Sequence, residues 1–510
     1  MRTFSVLRRW LARGLIPVLL IQSVAAQLPA KSSLQLPDLG DPAQTSLTPA
    51  QEKRIAEEVM REVRFHEPSY LNDPEVEEYL AAVGHKLVAG GVPQNQDYQF
   101  FVLKDPTINA FAMPGGVIGV HTGLIVTTQT ESELAGVLSH EIGHVEQHHM
   151  ARMLSRQTNT TVLVLASILV AVLAGRNNAN VAGAALASGQ AAAIQSQLSY
   201  SRDYEREADR VGLQILNAAG YDPQGMPDFF ERMYQQTRMV ENNAPAYLRT
   251  HPLTQERISD ISGRVRLLGA KPQTSSIDYF LVRAKIEAQQ LGAQNAIARI
   301  SARPVKNALE QGARWYGLAR AYLQDHNFVE AHKALSQLQA LKLDSSMPAM
   351  LAADLALAEG KAEEAARLCH AAIAPHPGRQ SLVYCEAESW LEAGKPELAL
   401  QAVDAPSRYN RQDYRLYQLQ AKANSALGRN AQAHRAQAEV YVLQGDLSGA
   451  VDQLQLAQRD GGGDYVEQIS IDARLREMRT RLCEEMKEQG RGNAPVNGSL
   501  SEGKINGLCR

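Results

Sequence analysis

The spacing of apolar and polar residues changes along this chain, and each change predicts an element. Behind Thr48-Pro49, a cap followed by proline at the first helical position, apolar and charged residues alternate with helical spacing to about residue 63. A second helix is predicted near 74–88, ending at Gly90-Gly91. The runs "YQFFVLKD" (98–105) and "GGVIGVHTGLI" (115–125) read as strands, and the Pro and Gly residues of the intervening "PTINAFAMPGG" supply turns. From Glu131 the pattern is predominantly helical. Thr130 with Glu133 predicts a capping box, and Leu134, Val137, Leu138, Ile142 and Val145 follow at helical spacing.

Farther along, a longer period takes over. Ala331, Ala365, Ala399 and Ala433 recur every 34 residues, and Gly360, Gly394 and Gly428 keep the same interval, which is the tetratricopeptide period. Trp315, Leu318, Ala319 and Tyr322 give the first unit its large residues. Gly445 with Ala450 starts a closer-spaced pair, and Gly461 to Gly463 ends the array before a charged helix near 466–488. Stacked repeats of this kind present a concave surface to extended peptides or partner proteins.

At 510 residues the chain exceeds one core, so more than one domain is expected. A formal net charge of -3 gives no broad basic field, which argues against nucleic acid as a partner. Arg2, Arg8, Arg9 and Arg13 precede the apolar run 14–26, the pattern of a cleaved export signal. The four cysteines fall late; the most local pairing is Cys369 with Cys385 and Cys483 with Cys509. A second apolar run, 161–175, is short for a membrane span. It reads either as a hairpin over the site described next or as a peripheral membrane contact.

The chemistry concentrates in "SHEIGHVEQHH", 139–149. On a helix His140 and His144 share one face within reach of one ion, with Glu141 beside them, the arrangement of a zinc hydrolase: two imidazoles bind metal and the carboxylate takes a proton from water. A third ligand is available in "SRDYEREADRVGLQIL" (201–216), where Glu205 could ligate and Asp209 could orient an imidazole. Both acids could equally pair with Arg202, Arg206 and Arg210 on a solvated face. His148 and His149 read as outer neighbours or exposed residues, and His121 as structural.

These motifs resemble the gluzincin-type peptidases that include the HtpX and CAAX prenyl protease relatives, whose HExxH and later ExxxD fall on His140, Glu141, His144, Glu205 and Asp209. The resemblance covers about residues 45–265 by motif. It implies one Zn2+ per chain, and a substrate-binding edge strand formed by Asn109, Ala110, Phe111, Ala112, Met113, Pro114, Gly115 and Gly116. It also implies that His251 can reach the metal as a latch or fourth ligand. The implied function is quality control and assembly of outer-membrane β-barrel proteins, carried out in the periplasm. The partners would be unfolded or stalled envelope proteins and, through the repeats, the outer-membrane assembly machinery. A competing reading is a non-proteolytic repeat chaperone or scaffold with a structural metal. The expected fold is mainly α: an α+β metallopeptidase domain with a small sheet, then an α-helical solenoid. The expected boundaries are signal peptide 1–26, arm 27–47, peptidase domain 48–269, linker and connecting helix 270–307, repeats 308–460, and C-terminal helix and tail 461–510.

Overall fold

A computed structural model describes residues 47–92, 97–154, 201–239, 245–269, 271–272, 274–461 and 465–491. The expected signal peptide, the arm up to residue 46, the apolar run 161–175 and Cys509 lie outside these residues. Helix α1, Pro49–His66, begins at a reciprocal capping box: Gln51 N–H donates to Thr48 Oγ1, and the Gln51 side chain accepts from the Thr48 N–H. Such a cap stabilises a helix by about 1 kcal/mol. Asp73 caps α2, Pro74–Gly91.

Strands β1 (Gln99–Leu103), β2 (Ala110–Met113) and β3 (Val117–His121) form one sheet in the order β1-β3-β2. β1 runs parallel to the central β3, and β2 runs antiparallel to it. Their residues are nearly continuously apolar because both faces are covered. Phe101, Leu103, Met113 and Val117 pack on Ile55, Val59 and Met60 of α1, while Phe100, Val102, Ala112, Ile118 and Val120 join the core that contains α2 and the histidine-bearing helix. The β2–β3 turn needs glycine. Gly115 and Gly116 have φ of 80° and 83°, and a Cβ on Gly115 would meet the Glu52 carbonyl oxygen at 2.3 Å.

The strand expected over 115–125 stops at His121, and Thr122–Thr127 forms the short helix α3. Thr122 Oγ1 and the Gly123 N–H both donate to the Asp105 carbonyl, turning the chain out of the sheet despite its β-branched residues. Helix α4, Glu131–Glu146, carries the histidines. Its expected capping box forms by half: Glu133 N–H donates to Thr130 Oγ1, but the Glu133 carboxylate accepts from the Gln129 N–H and pairs with Arg232. After α5 (His149–Leu154) come α6 (Arg202–Ala218), α7 (Gly225–Met239), α8 (Ala246–Thr250) and α9 (Gln255–Leu268).

From Ile277 the described chain is a succession of helices, each packed on the next. Gly360, Gly394 and Gly428 follow alternate helices with φ of 75°, 68° and 68°. The position 34 residues before Gly360 is His326, which adopts the same left-handed conformation at φ 55°. Ala331, Ala365 and Ala399 are buried between helices as the period expects. Ala433 is only half-buried; helix Asn430–Gln444 instead buries Ala431, Ala436, Ala438 and Val440. Cys369 and Cys385 are bonded to each other, and Cys483 is also disulfide-bonded.

The helical array grips the start of α2. Lys285 Nζ lies 2.6 Å from Asp73 and Arg320 3.3 Å from Glu75; Ser381 donates from N and Oγ to Glu78, and Arg415 pairs with Glu77 at 2.8 Å. Beyond these contacts a cleft of about 2320 Å³ separates α1 from the later helices, with Gly115 and His148 on its wall.

Candidate metal centre

Two glycines let the halves of the site meet. A Cβ on Gly143 of α4 would lie 2.8 Å from the Ala208 carbonyl oxygen of α6, and one on Gly212 of α6 would lie 2.8 Å from the Ser139 oxygen. With neither present, the backbones approach closely enough for α6 to aim Glu205 at both histidines. His140 Nε2 and His144 Nε2 are 3.0 Å apart, and Glu205 oxygens lie 3.5 Å and 3.4 Å from them. His251, directly after α8, brings its Nδ1 to 2.9 Å from Glu205 Oε1. One ligand atom from each of His140, His144, Glu205 and His251 falls within 4.8 Å of the others, and all four side chains are buried.

Neighbours fix this set. His140 Nδ1 lies 3.0 Å from Asp209 Oδ1, and His144 Nδ1 lies 2.9 Å from His149 Nδ1. The other nitrogen of each ring therefore faces the cluster centre. Arg257, held at the first turn of α9 by the Thr254 cap, donates from Nε and Nη2 to both Asp209 oxygens at 2.7 Å and lies 2.6 Å from Glu205. Tyr247 stacks on His251 with ring centroids 4.7 Å apart, and its N–H donates to the Ile108 carbonyl just before β2. Among the described residues the buried Tyr247 hydroxyl has no hydrogen-bond partner.

The electrostatics suit a cation. Burial would lower the His140 pKa, but Asp209 and Glu205 reverse this and raise it to about 9. Burial holds His144 well below its usual value. Burial would raise Glu205, but His251, His140 and His144 bring it well below the carboxylate range. Glu141 goes up through burial, partly offset by His251 and His140 and by the nearby Ala112 amide of β2. Two imidazole lone pairs and a carboxylate converging within one buried volume match the donor set of a zinc-type ion. Among the described residues, neither buried Glu141 oxygen has a hydrogen bond of good geometry.

The sequence-predicted residues fall into place unequally. His140, Glu141, His144, Glu205 and His251 come together, and Asp209 supports from behind through His140 and Arg257. Ala110–Met113 form the edge strand β2, Pro114–Gly116 its turn, and Asn109 is buried near His121. His148 turns to Glu52, and His121 to Thr107 and Asp105. Sequence reasoning missed Arg257 and Tyr247; His149, read as an outer neighbour or exposed, touches His144 directly. Arg257 lies in "LTQER" with only its helix-start position to mark it.

Residues 74–265 match the sequence profile of peptidase family M48. The Beta-barrel assembly-enhancing protease of Escherichia coli (strain K12) is 31% identical over 480 residues, spanning 93% of this chain and 97% of that protein. This chain belongs to peptidase family M48. It is a metalloendopeptidase by that membership. The protein of the same name from Yersinia pestis is 30% identical over 466 residues, 90% of this chain and 94% of its own. Mitochondrial metalloendopeptidase OMA1 of Schizosaccharomyces pombe (strain 972 / ATCC 24843) is 28% identical over 229 residues, 44% of this chain and 64% of its own. The M48 match contains every residue of the cluster together with β2 and Arg257, whereas the later helical array is matched only through the longer relatives.

Proposed function

We propose that this M48 peptidase is zinc-dependent, is exported to the periplasm, and acts on unfolded or stalled outer-membrane β-barrel proteins, cleaving some and helping others assemble. His140, His144 and Glu205 would hold the zinc, with His251 as a fourth ligand that keeps the enzyme latent. Zinc bound there would polarise the scissile carbonyl and ease deprotonation of water. Glu141 takes the proton of the attacking water on a carboxylate oxygen and delivers it to the departing amine. Burial makes Glu141 more basic than an exposed carboxylate, which suits that transfer near neutral pH. The extended substrate pairs with the outer edge of β2, whose Ala112 amide adjoins Glu141.

The observation that carries this reading is the convergence of four buried ligand atoms within 4.8 Å beside the buried Glu141 carboxylate. The names of the long relatives support the β-barrel substrate class. Among the described residues no helix is long and apolar enough to cross a membrane. Cleavage of an unfolded β-barrel protein that stops on chelation and returns with zinc is the expected result. Persistent cleavage by metal-stripped protein would refute it.

The cleft between α1 and the helical array favours a second role, holding a partner chain without cutting it, with the repeats contacting the assembly machinery. Rescue of envelope defects by a Glu141→Gln variant would establish that role.

A further inference from the structure

We propose that His149 and Glu207 form a positioning pair for His144, setting which of its nitrogens is free to bind metal. The inference rests on the metal reading above and concerns two residues that reading does not use. His149 is five residues beyond His144, a spacing that ordinary helix geometry would carry away from the site. The chain returns because α4 ends at Glu146 and His148 adopts a left-handed φ of 49°, so α5 starts at His149 with its ring turned back inward. The His149 side chain is wholly buried and stacks on Tyr204 of α6, centroids 4.4 Å apart and planes 17° from parallel.

The proton arrangement follows from the distances. His149 Nδ1 and His144 Nδ1 are 2.9 Å apart, so one proton lies between them. His144 must keep Nε2 bare to bind metal, so its own Nδ1 carries that proton and His149 Nδ1 accepts it. His149 then bears its proton on Nε2, which donates to Glu207 Oε2 at 3.1 Å. Glu207, itself 3.5 Å from Arg152 Nη1, thereby selects the tautomer of His149, and His149 that of His144. The two imidazole ligands are supported unequally. His140 Nδ1 faces the carboxylate of Asp209 directly, whereas His144 Nδ1 faces a second imidazole, which in turn faces Glu207. Removing an outer partner of a metal-bound histidine typically weakens metal binding about 10- to 100-fold.

The test measures zinc affinity by chelator competition, the visible spectrum of the cobalt-substituted protein, and the fold of the metal-free protein by circular dichroism. His149→Leu, which preserves bulk but accepts nothing, is expected to lose about 10- to 100-fold in zinc affinity and to shift the cobalt bands. His149→Gln, whose amide can both accept and donate, is expected to restore most of the affinity and spectrum. Glu207→Gln is expected to fall in between. Folded His149→Leu with wild-type affinity and spectrum would overturn the proposal while leaving the metal reading intact. Wild-type protein that bound neither zinc nor cobalt would overturn both. If His149→Leu does not fold, Glu207→Gln carries the test, and its having wild-type affinity and spectrum would overturn the assignment.

Discussion

His251 Nε2 lies 3.6 Å from Glu141 Oε1, so the imidazole occupies the space in front of the proposed general base. Its Nδ1 is held at 2.9 Å by Glu205, and Tyr247 stacks on its outer face. On the proposed latch, water and substrate would displace it before Glu141 acts. His251→Ala is therefore expected to raise the rate of cleavage of an unfolded envelope protein several-fold with zinc content unchanged. A rate equal to or below wild type, with zinc intact, would count against the latch and, in the second case, favour a direct part for His251 in the reaction.

The close crossing of α4 and α6 makes Gly212 a sensitive position. Gly212→Ala places a methyl 2.8 Å from the Ser139 oxygen and 2.9 Å from the His140 backbone, which forces the helices apart. The expected cost is about 1–3 kcal/mol in urea unfolding, accompanied by weaker zinc binding as Glu205 retreats. Unaltered zinc affinity in a folded variant would show that the crossing has slack.

Arg257 neutralises two buried acids at once. Arg257→Gln removes the guanidinium that pairs with both Asp209 and Glu205, and breaking a buried pair in this way typically costs about 3–5 kcal/mol. Bound zinc supplies positive charge to Glu205, so the loss is expected to be larger in metal-free protein than in zinc-loaded protein. Thermal unfolding with and without zinc measures the difference; equal losses in both states would contradict the shared-charge picture.

At the start of α2, Asp73 tests the docking of the helical array. Burial would raise its pKa, but Lys285 and Arg320 more than reverse this and hold it below its usual 3.8. A carboxylate so lowered stabilises the fold fully above its unfolded pKa and loses that contribution as pH falls through the folded value. Asp73→Asn keeps a side chain able to cap α2 and removes the charge. The variant should be about 2 kcal/mol less stable than wild type at pH 6, with the gap closing below about pH 3.8. Glu75 is raised by burial and, to a smaller degree, by the Asp73 charge, so the substitution also relieves Glu75, an effect of opposite sign that trims the gap. A gap that stays constant with pH would place the effect outside the Asp73 charge.

Much of the site could be read from residue order because helices impose their own geometry. His140, Glu141 and His144 are neighbours by helical spacing alone, and Glu205 and Asp209 share a face of α6 for the same reason. The alternative of a solvated acidic face fails for this pair: Arg206 and Arg210 turn outward to Asp203, Glu256 and Asp260, while Glu205 and Asp209 are buried. Contacts made through loops were less legible. His149 reaches His144 only because His148 adopts a left-handed backbone, and Arg257 meets Asp209 only because α8 and α9 fold back over α6. No local period encodes either. In the repeats the glycine interval marked where helices end, yet it could not foresee that His326 would take the same conformation without being glycine, or that Ala433 would leave the contact that Ala331, Ala365 and Ala399 make.

The central claim is that Glu141 is the base of a metal-dependent hydrolysis, and one paired measurement bears on it most directly. Glu141→Gln is isosteric and leaves His140, His144 and Glu205 in place, so it should bind about one zinc per chain, as wild type is expected to, and fold normally. The account predicts that this zinc-loaded variant fails to cleave an unfolded outer-membrane β-barrel protein that the His251→Ala enzyme degrades. Cleavage by zinc-loaded Glu141→Gln at the wild-type rate would contradict it.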